Sequence, residues 1–279
     1  MSSETSAHRD EVTAGQRFEF GANWAAFLRV LDDTRIAEAE RSLVAKLGRA
    51  RLDGVRFLDI GSGSGLFSLA ARRLGATVTS FDYDPQSVAC TRELRRRYFP
   101  DDAAWTVTEG SVLDRTFVEG LGTFELVYSW GVLHHTGAMW EAIGHAADRV
   151  APGGQLFIAL YNDQGRTSRG WLAVKRAYNA GPLGRAAVLG AFVPYFVGSF
   201  VAGSASRGQT PWTALADYRS RRGMSFLHDI VDWVGGLPFE VAAPGEVVAF
   251  ARARGFTLEL LHTVGGALGC NEFVFRRAA

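Results

Sequence analysis

Between residues 55 and 161, short apolar runs alternate with amphipathic stretches, and that alternation leaves the chain few folds to choose from. VRFLDI (55–60), TVTSFD (77–82), AWTVTEG (104–110), FELVYSW (124–130) and GQLFIALY (154–161) have the length and composition of strands. LFSLAARRLG (66–75) reads as a helix ended by glycine, and PQSVACTRELRRRYF (85–99) as a helix with Pro85 at its start. Repeated strand–helix–strand units imply a parallel sheet with right-handed crossovers, the doubly wound α/β arrangement. From residue 164 to 243 no convincing strand appears. The pattern resumes with a helix, PGEVVAFARARG (244–255), then TLELLHTV (257–264) and NEFVFRR (271–277). A short glycine-rich link joins these two runs, which predicts an antiparallel hairpin and a mostly parallel seven-stranded sheet. Residues 22–48 carry helical periodicity, and the polar stretch up to about residue 15 reads as a loose tail. The expected organisation is a tail and helices over 1–50, an α/β domain from 51–163 with 244–279, and a helical lid or substrate insertion over 164–243.

Composition narrows the class of partner. The 279 residues carry a formal charge of +1, which gives no reason to expect nucleic acid. Only Lys46 and Lys175 among the 30 basic residues are lysines. Two cysteines, Cys90 and Cys270, lack metal-ligand spacing and cannot form a disulfide framework, which favours a reducing, cytoplasmic setting. The first residues lack the apolar core of a signal peptide.

The first strand runs into LDIGSGSG (58–65). A dinucleotide fingerprint spaces its glycines G-x-G-x-x-G, whereas here they fall at 61, 63 and 65. No Lys-Ser/Thr follows, which excludes a triphosphate-binding loop. Asp59 lies two residues before the turn, where a carboxylate would repel a pyrophosphate and attract an ammonium group. Asp82 ends the second strand, 23 residues on, the place for an acid that accepts hydrogen bonds from ribose hydroxyls. A ligand with a ribose, an ammonium group and no phosphate is S-adenosylmethionine.

At these residues the sequence resembles the class I S-adenosylmethionine-dependent methyltransferases, closest to the ubiquinone-biosynthesis-like O-methyltransferases. LDIGSGSG resembles their first motif and FDYDP their second, while EGSVLD resembles the segment beside the adenine. FELVYSWGVLHH and APGGQLFIALY resemble the fourth strand with its loop and the fifth strand. The likeness covers roughly 52–163 and 244–277 and implies a Rossmann-like domain. It further implies that Asp59, Gly61, Ser62 and Gly63 line the methionine end of the cofactor, and that Asp82 binds the ribose. Tyr83 would pack near the adenine, Ser111 and Val112 would meet its edge, and Ser129 and Trp130 would border the methyl group. Ser111 departs from the family, where many members have an acid, so side-chain recognition of the adenine is not carried over.

Methyl transfer to a hydroxyl needs an aligned acceptor and a base for its proton. His134 and His135 follow the fourth strand, at the edge where open α/β sheets bind ligands, and are the candidate bases with His134 slightly ahead. The bland alternative is that they cap the next helix or pack under the loop. Tyr161, Asn162 and Asp163 leave the fifth strand at the same edge: Tyr161 and Asn162 are candidate substrate contacts, and Asp163 could orient the acceptor or serve as a third candidate base. Asn162–Asp163 also resembles part of a cation-dependent O-methyltransferase site, but a further metal acid is not evident, so no metal is expected. An antiparallel seventh strand must begin at this edge, which places Cys270, Asn271 and Glu272 beside the pocket and makes Asn271 and Glu272 either candidate substrate contacts or a polar cap of the hairpin.

The insertion is too long for a plain connection and reads as a substrate lid. It carries His228 and Asp232, which share a face if helical, with Trp233 beside them as a third substrate-side candidate. Arg219, Arg221 and Arg222 could meet an anionic group on the acceptor. AAVLGAFVPYFVGSFVAGSAS (186–206) has no charge and the length of a membrane span, diluted by Pro194 and several glycines and serines. A lid or homodimer helix is favoured, with membrane docking or a lipid- or sugar-linked acceptor as the alternative. The expected activity is methyl transfer to a small-molecule hydroxyl. A cyclisation or elimination using the same cofactor, and a catalytically silent cofactor-binding scaffold, are the competing readings.

Overall fold

The computed structural model describes residues 3–18, 20–215, 226–265 and 269–279. Seven strands form one sheet in the order β3-β2-β1-β4-β5-β7-β6. These are β1 (Arg56–Ile60), β2 (Thr77–Asp82), β3 (Trp105–Glu109), β4 (Phe124–Trp130), β5 (Val150–Tyr161), β6 (Phe256–His262) and β7 (Cys270–Arg277). Strands β1 to β5 pair in parallel, whereas β7 runs antiparallel to both β5 and β6. The doubly wound α/β class and its terminal hairpin are thus as the alternation predicts. Strand β5 begins four residues earlier than GQLFIALY, because Val150 pairs with Phe124 ahead of a register shift.

Helices cover both faces: α1 (Ser3–Thr13), α2 (Gly21–Leu28), α3 (Asp33–Leu47), α4 (Leu66–Arg73), α5 (Pro85–Tyr98), α6 (Arg115–Gly120) and α7 (Met139–Asp148). They continue with α8 (Arg166–Asn179), α9 (Pro182–Ser206), α10 (Phe226–Gly235) and α11 (Pro244–Arg252). Asp32, Asp84 and Asp114 accept from backbone N–H groups in the first turns of α3, α5 and α6, satisfying donors that a helix start leaves open. One core lies between the sheet and α6, α7 and α11, and includes Leu58, Ile60, Val127 and Phe273. The other lies under α3, α4 and α5, and includes Phe57, Leu69, Leu94 and Trp105. A third, smaller cluster (Tyr178, Val188, Ile230 and Val234) holds α8, α9 and α10 together.

The tail expected at the N-terminus is a helix. His8 is buried 3.9 Å from Asp84, and the Tyr83 hydroxyl donates to Glu11, so α1 is fastened over the ends of β2 and α5. Its polar sequence lacks an apolar stripe because it covers a polar edge of the sheet. Arg219, Arg221 and Arg222 lie outside the described residues, as do the side chains of His228 and Asp232 on α10.

Leu58 is fully buried at the centre of the sheet. Leu58→Ala should lower the unfolding free energy by about 2–5 kcal/mol, from lost burial and the cavity left behind. Urea unfolding measures this, and a change below about 1 kcal/mol would place the core elsewhere.

Candidate active site

Parallel pairing aligns the carboxyl ends of β1, β2, β4 and β5, and a cavity of about 840 Å³ opens there. Its floor is the turn after β1. Gly61 and Gly65 have φ of +76° and +81°, a region that side chains avoid. A Cβ on Gly61 would lie 2.4 Å from the Val132 side chain, and one on Gly65 would lie 2.9 Å from the Thr91 Cα. The chain can therefore fold back on itself here only with glycine at both positions.

Two carboxylates stand at this floor. Asp59 is buried, and its Oδ2 accepts from Ser68 at 2.5 Å. Ser68 in turn lies 2.7 Å from the Ser80 hydroxyl, which accepts from the Trp105 indole at 2.9 Å. Burial pushes the Asp59 carboxyl up to about 7, opposed by Ser68 and reinforced by the charge of Asp82. Asp82 accepts from the backbone N–H groups of Gly63 and Asp84, each at 2.9 Å. Burial raises it to about 6, against the pull of those N–H groups. Acids held this far up are poised to gain from a cation or from hydroxyl donors entering the cavity.

Tyr83, Ser111 and Val112 line the cavity beside these acids, with Ser62 and Gly63. Tyr83 packs edge-on against His8, while the Arg17 guanidinium lies 4.9 Å from its ring centre. Arg17 also donates to Glu11 at 2.6 Å and to the His135 carbonyl at 3.0 Å, joining the two halves of the cavity. Opposite, Trp130 lines the wall, and its indole donates to Glu272 at 2.9 Å, which is ion-paired with Lys46 of α3. Phe18, Phe20, Tyr161, Phe196, Ile230 and Trp233 make the remaining wall apolar and aromatic.

The two histidines part company. His134 is fully buried, is not among the cavity-lining residues, and stacks on Tyr161 with ring centres 3.9 Å apart. Neither ring nitrogen makes a hydrogen bond of good geometry, and burial, aided by His135 and Lys175 and opposed by the Ala159 backbone, holds it well below the usual histidine range. His135 lines the cavity, and its Nδ1 lies 2.6 Å from the Pro238 carbonyl. A carbonyl only accepts, so Nδ1 carries the proton and Nε2 keeps its lone pair. Burial and then the Lys175 charge bring His135 down to about 3, against the bond to Pro238. It is therefore neutral, and only weakly basic, across physiological pH.

Other predicted residues lie elsewhere. Ser129 is buried and donates to the Ile60 carbonyl at 2.9 Å, and it is Tyr128 that joins Trp130 on the cavity wall. Asn271 is buried and donates to Asn162, which donates to the Gly265 carbonyl, so both amides tie the strand ends together. Cys270 and Glu272 face the cavity instead. Asp163 is exposed, accepts from the Gly165 N–H at 2.8 Å, and shapes the turn into α8. Sequence alone gave no site role to Arg17, Trp24, Tyr128, Lys46 or Lys175. Alternation along FELVYSW could have found Tyr128, and the rarity of lysine could have flagged the other two.

A model of a methyltransferase domain matches residues 32–190, more than half of the chain. The chain belongs to that methyltransferase family. The match takes in β1 to β5 and their turns, hence Asp59, Asp82 and both histidines. Among curated relatives, the ubiquinone biosynthesis O-methyltransferase of Caulobacter sp. (strain K31) is 30% identical over 146 residues, covering 48% of this chain and 54% of that protein. Its namesake from Paramagnetospirillum magneticum is 31% identical over 150 residues, covering 52% and 56%. This methyltransferase-family chain thus spans about half the length of the curated relatives it matches. The magnesium protoporphyrin IX methyltransferase of Synechocystis PCC 6803, solved with S-adenosylmethionine, shares the fold. Its TM-score is 0.55 at 11% identity, covering 100% of this chain and 99% of that one. An N-methyltransferase of Bradyrhizobium japonicum WM9, solved with S-adenosylhomocysteine, has a TM-score of 0.50 at 14% identity, covering 92% and 99%.

The raised acids have a consequence for stability. An unfolded aspartate titrates near about 4. Between there and about 7 the folded methyltransferase holds protons at Asp59 and Asp82 that the unfolded chain has released. Stability without ligand should therefore fall as pH rises through that window, and Asp59→Asn should flatten the fall. Urea titrations at pH 5 and pH 7.5 measure it, and equal pH dependence in variant and wild type would contradict the raised acid.

Proposed function

We propose that the protein transfers the methyl group of S-adenosylmethionine to a hydroxyl on a small, largely apolar acceptor, with His135 as the base. The observation that carries this reading is one cavity with two raised carboxylates at its floor and a neutral, singly tethered histidine on its wall. The donor set suits the cofactor: Asp59 for an ammonium group, Asp82 for ribose hydroxyls, and Tyr83, Ser111 and Val112 for the adenine. When bound, the cofactor supplies an electrophilic methyl on a sulfonium. The chain does the rest. In this reading residues 51–163 with 244–279 hold the donor, and 164–243 closes over the acceptor. Tyr161, Trp233, Phe20 and Phe196 would exclude water and clamp an apolar, ring-sized body. Trp130, fixed by Glu272, would border the methyl group. His135 would take the acceptor's proton on Nε2, while Pro238 holds Nδ1–H and so fixes the ring. Proximity and base assistance are the two contributions this reaction asks of a protein. The names of the curated relatives support oxygen as the acceptor atom.

Calorimetry should show S-adenosylmethionine binding that weakens roughly tenfold or more in Asp82→Ala, the scale of a lost charged hydrogen bond. Unchanged affinity would remove the ribose role. With phenolic acceptors screened by S-adenosylhomocysteine release, His135→Ala should lose about 10²–10⁴ in kcat. His134→Ala should chiefly lower stability. Full turnover in His135→Ala would exclude it as the base.

A further inference from the structure

The charge of the chain is not evenly spread. Residues 164–215 contain six basic residues and no acidic one, whereas the rest of the chain holds 24 basic and 29 acidic residues. Lys175 is buried, but Arg166, Arg169, Arg176, Arg185 and Arg207 are exposed. No salt bridge ties any of these five among the described residues; Arg185 lies over the Tyr178 ring and Arg207 reaches Gln209.

Among the described residues, five of the eight exposed large hydrophobic side chains lie in the same segment. Helix α9 runs unbroken through Pro194 for 25 residues, with mean hydropathy 1.7 in its most apolar window and 6% of that window buried. Its inner side, with Phe192 and Phe196, packs on Trp171. Leu183 at 88% exposure, Val201 at 40% and Val197 at 39% share its outer side, Tyr195 at 61% is exposed on another side, and Trp212 follows at 80%. So apolar a helix, so little of it buried, calls for a partner.

Charge complementarity chooses the occupant. A second copy would bring the same uncompensated arginines face to face with these, without an acid in either segment to offset them. An anionic lipid surface offers what the segment lacks: negative headgroups for the flanking arginines, an acyl boundary for leucine and valine, and an interface for tyrosine and tryptophan. We propose that α9 lies in the plane of an anionic bilayer, outer face down, drawn there by the positive field of the uncompensated arginines of 164–215. Phe196, next to Tyr195, lines the cavity, so the helix that meets the bilayer also roofs the site.

The full chain should co-sediment with vesicles of 3:1 phosphatidylcholine and phosphatidylglycerol, and far less with phosphatidylcholine alone or in 0.5 M salt. Reversing two arginines near the surface in Arg185→Glu/Arg207→Glu should cut binding about tenfold or more. Val197→Asp/Val201→Asp should cut it comparably even at low salt. Both variants should bind S-adenosylmethionine as the wild type does, which separates this surface from the proposed activity and shows the fold intact. No binding to the anionic vesicles would overturn the proposal. So would vesicle binding that both variants retain, or light scattering showing a dimer that Val197→Asp/Val201→Asp dissociates.

Discussion

Two carboxylates at the ends of adjacent parallel strands, Asp59 buried and Asp82 half-buried, set the terms for the rest of the molecule. Charge removed from water is costly unless paired or hydrogen-bonded. Around Asp59 the cost is met by Ser68, whose hydroxyl leads through Ser80 to the Trp105 indole in the core. Around Asp82 it is met by the N–H groups of Gly63 and Asp84. Neither set suffices to bring the acids to their ordinary range. That deficit is left at the floor of the cavity. The glycine turn limits it, because it brings the Gly63 N–H onto Asp82.

The opposite wall is built from side chains whose direction the strands decide. Neighbouring strand residues point to opposite faces, so Tyr128 and Trp130 share the cavity while Ser129 turns to the Ile60 carbonyl. Along β7, Cys270 and Glu272 face the cavity, and Asn271 turns inward to Asn162. His134 and His135 divide for a different reason. They sit in a single 3₁₀ turn, which sends one ring beneath Tyr161 and leaves the other on the wall. Burial makes both neutral, but only His135 combines that neutrality with the cavity and a tether on one nitrogen.

The segment over the site obeys different physics from the sheet below it. Its own buried cluster is small, and little of its long apolar helix is fully buried. An average charge near zero conceals the contrast, because a basic roof is balanced by an acidic remainder.

Much of this was legible along the chain. Strand and helix order, the terminal hairpin, the glycine turn and the acids at 59 and 82 follow from local periodicity and from what each backbone position tolerates. The N-terminal helix was not legible, because its burial comes from docking on Asp84 and Tyr83 rather than from an apolar stripe. The rest of the active-site wall depended on the fold. Arg17, Lys46 and Lys175 reach the site from segments far apart in sequence, joined only when α1, α3 and α8 pack around the sheet edge. Sequence by itself determined a parallel sheet with two acids at its carboxyl edge, since those rest on short-range pattern. Tertiary structure alone decided which histidine meets the cavity, and that Asn162, Asn271 and Asp163 serve the backbone, since facing and burial are set by neighbours distant in the chain.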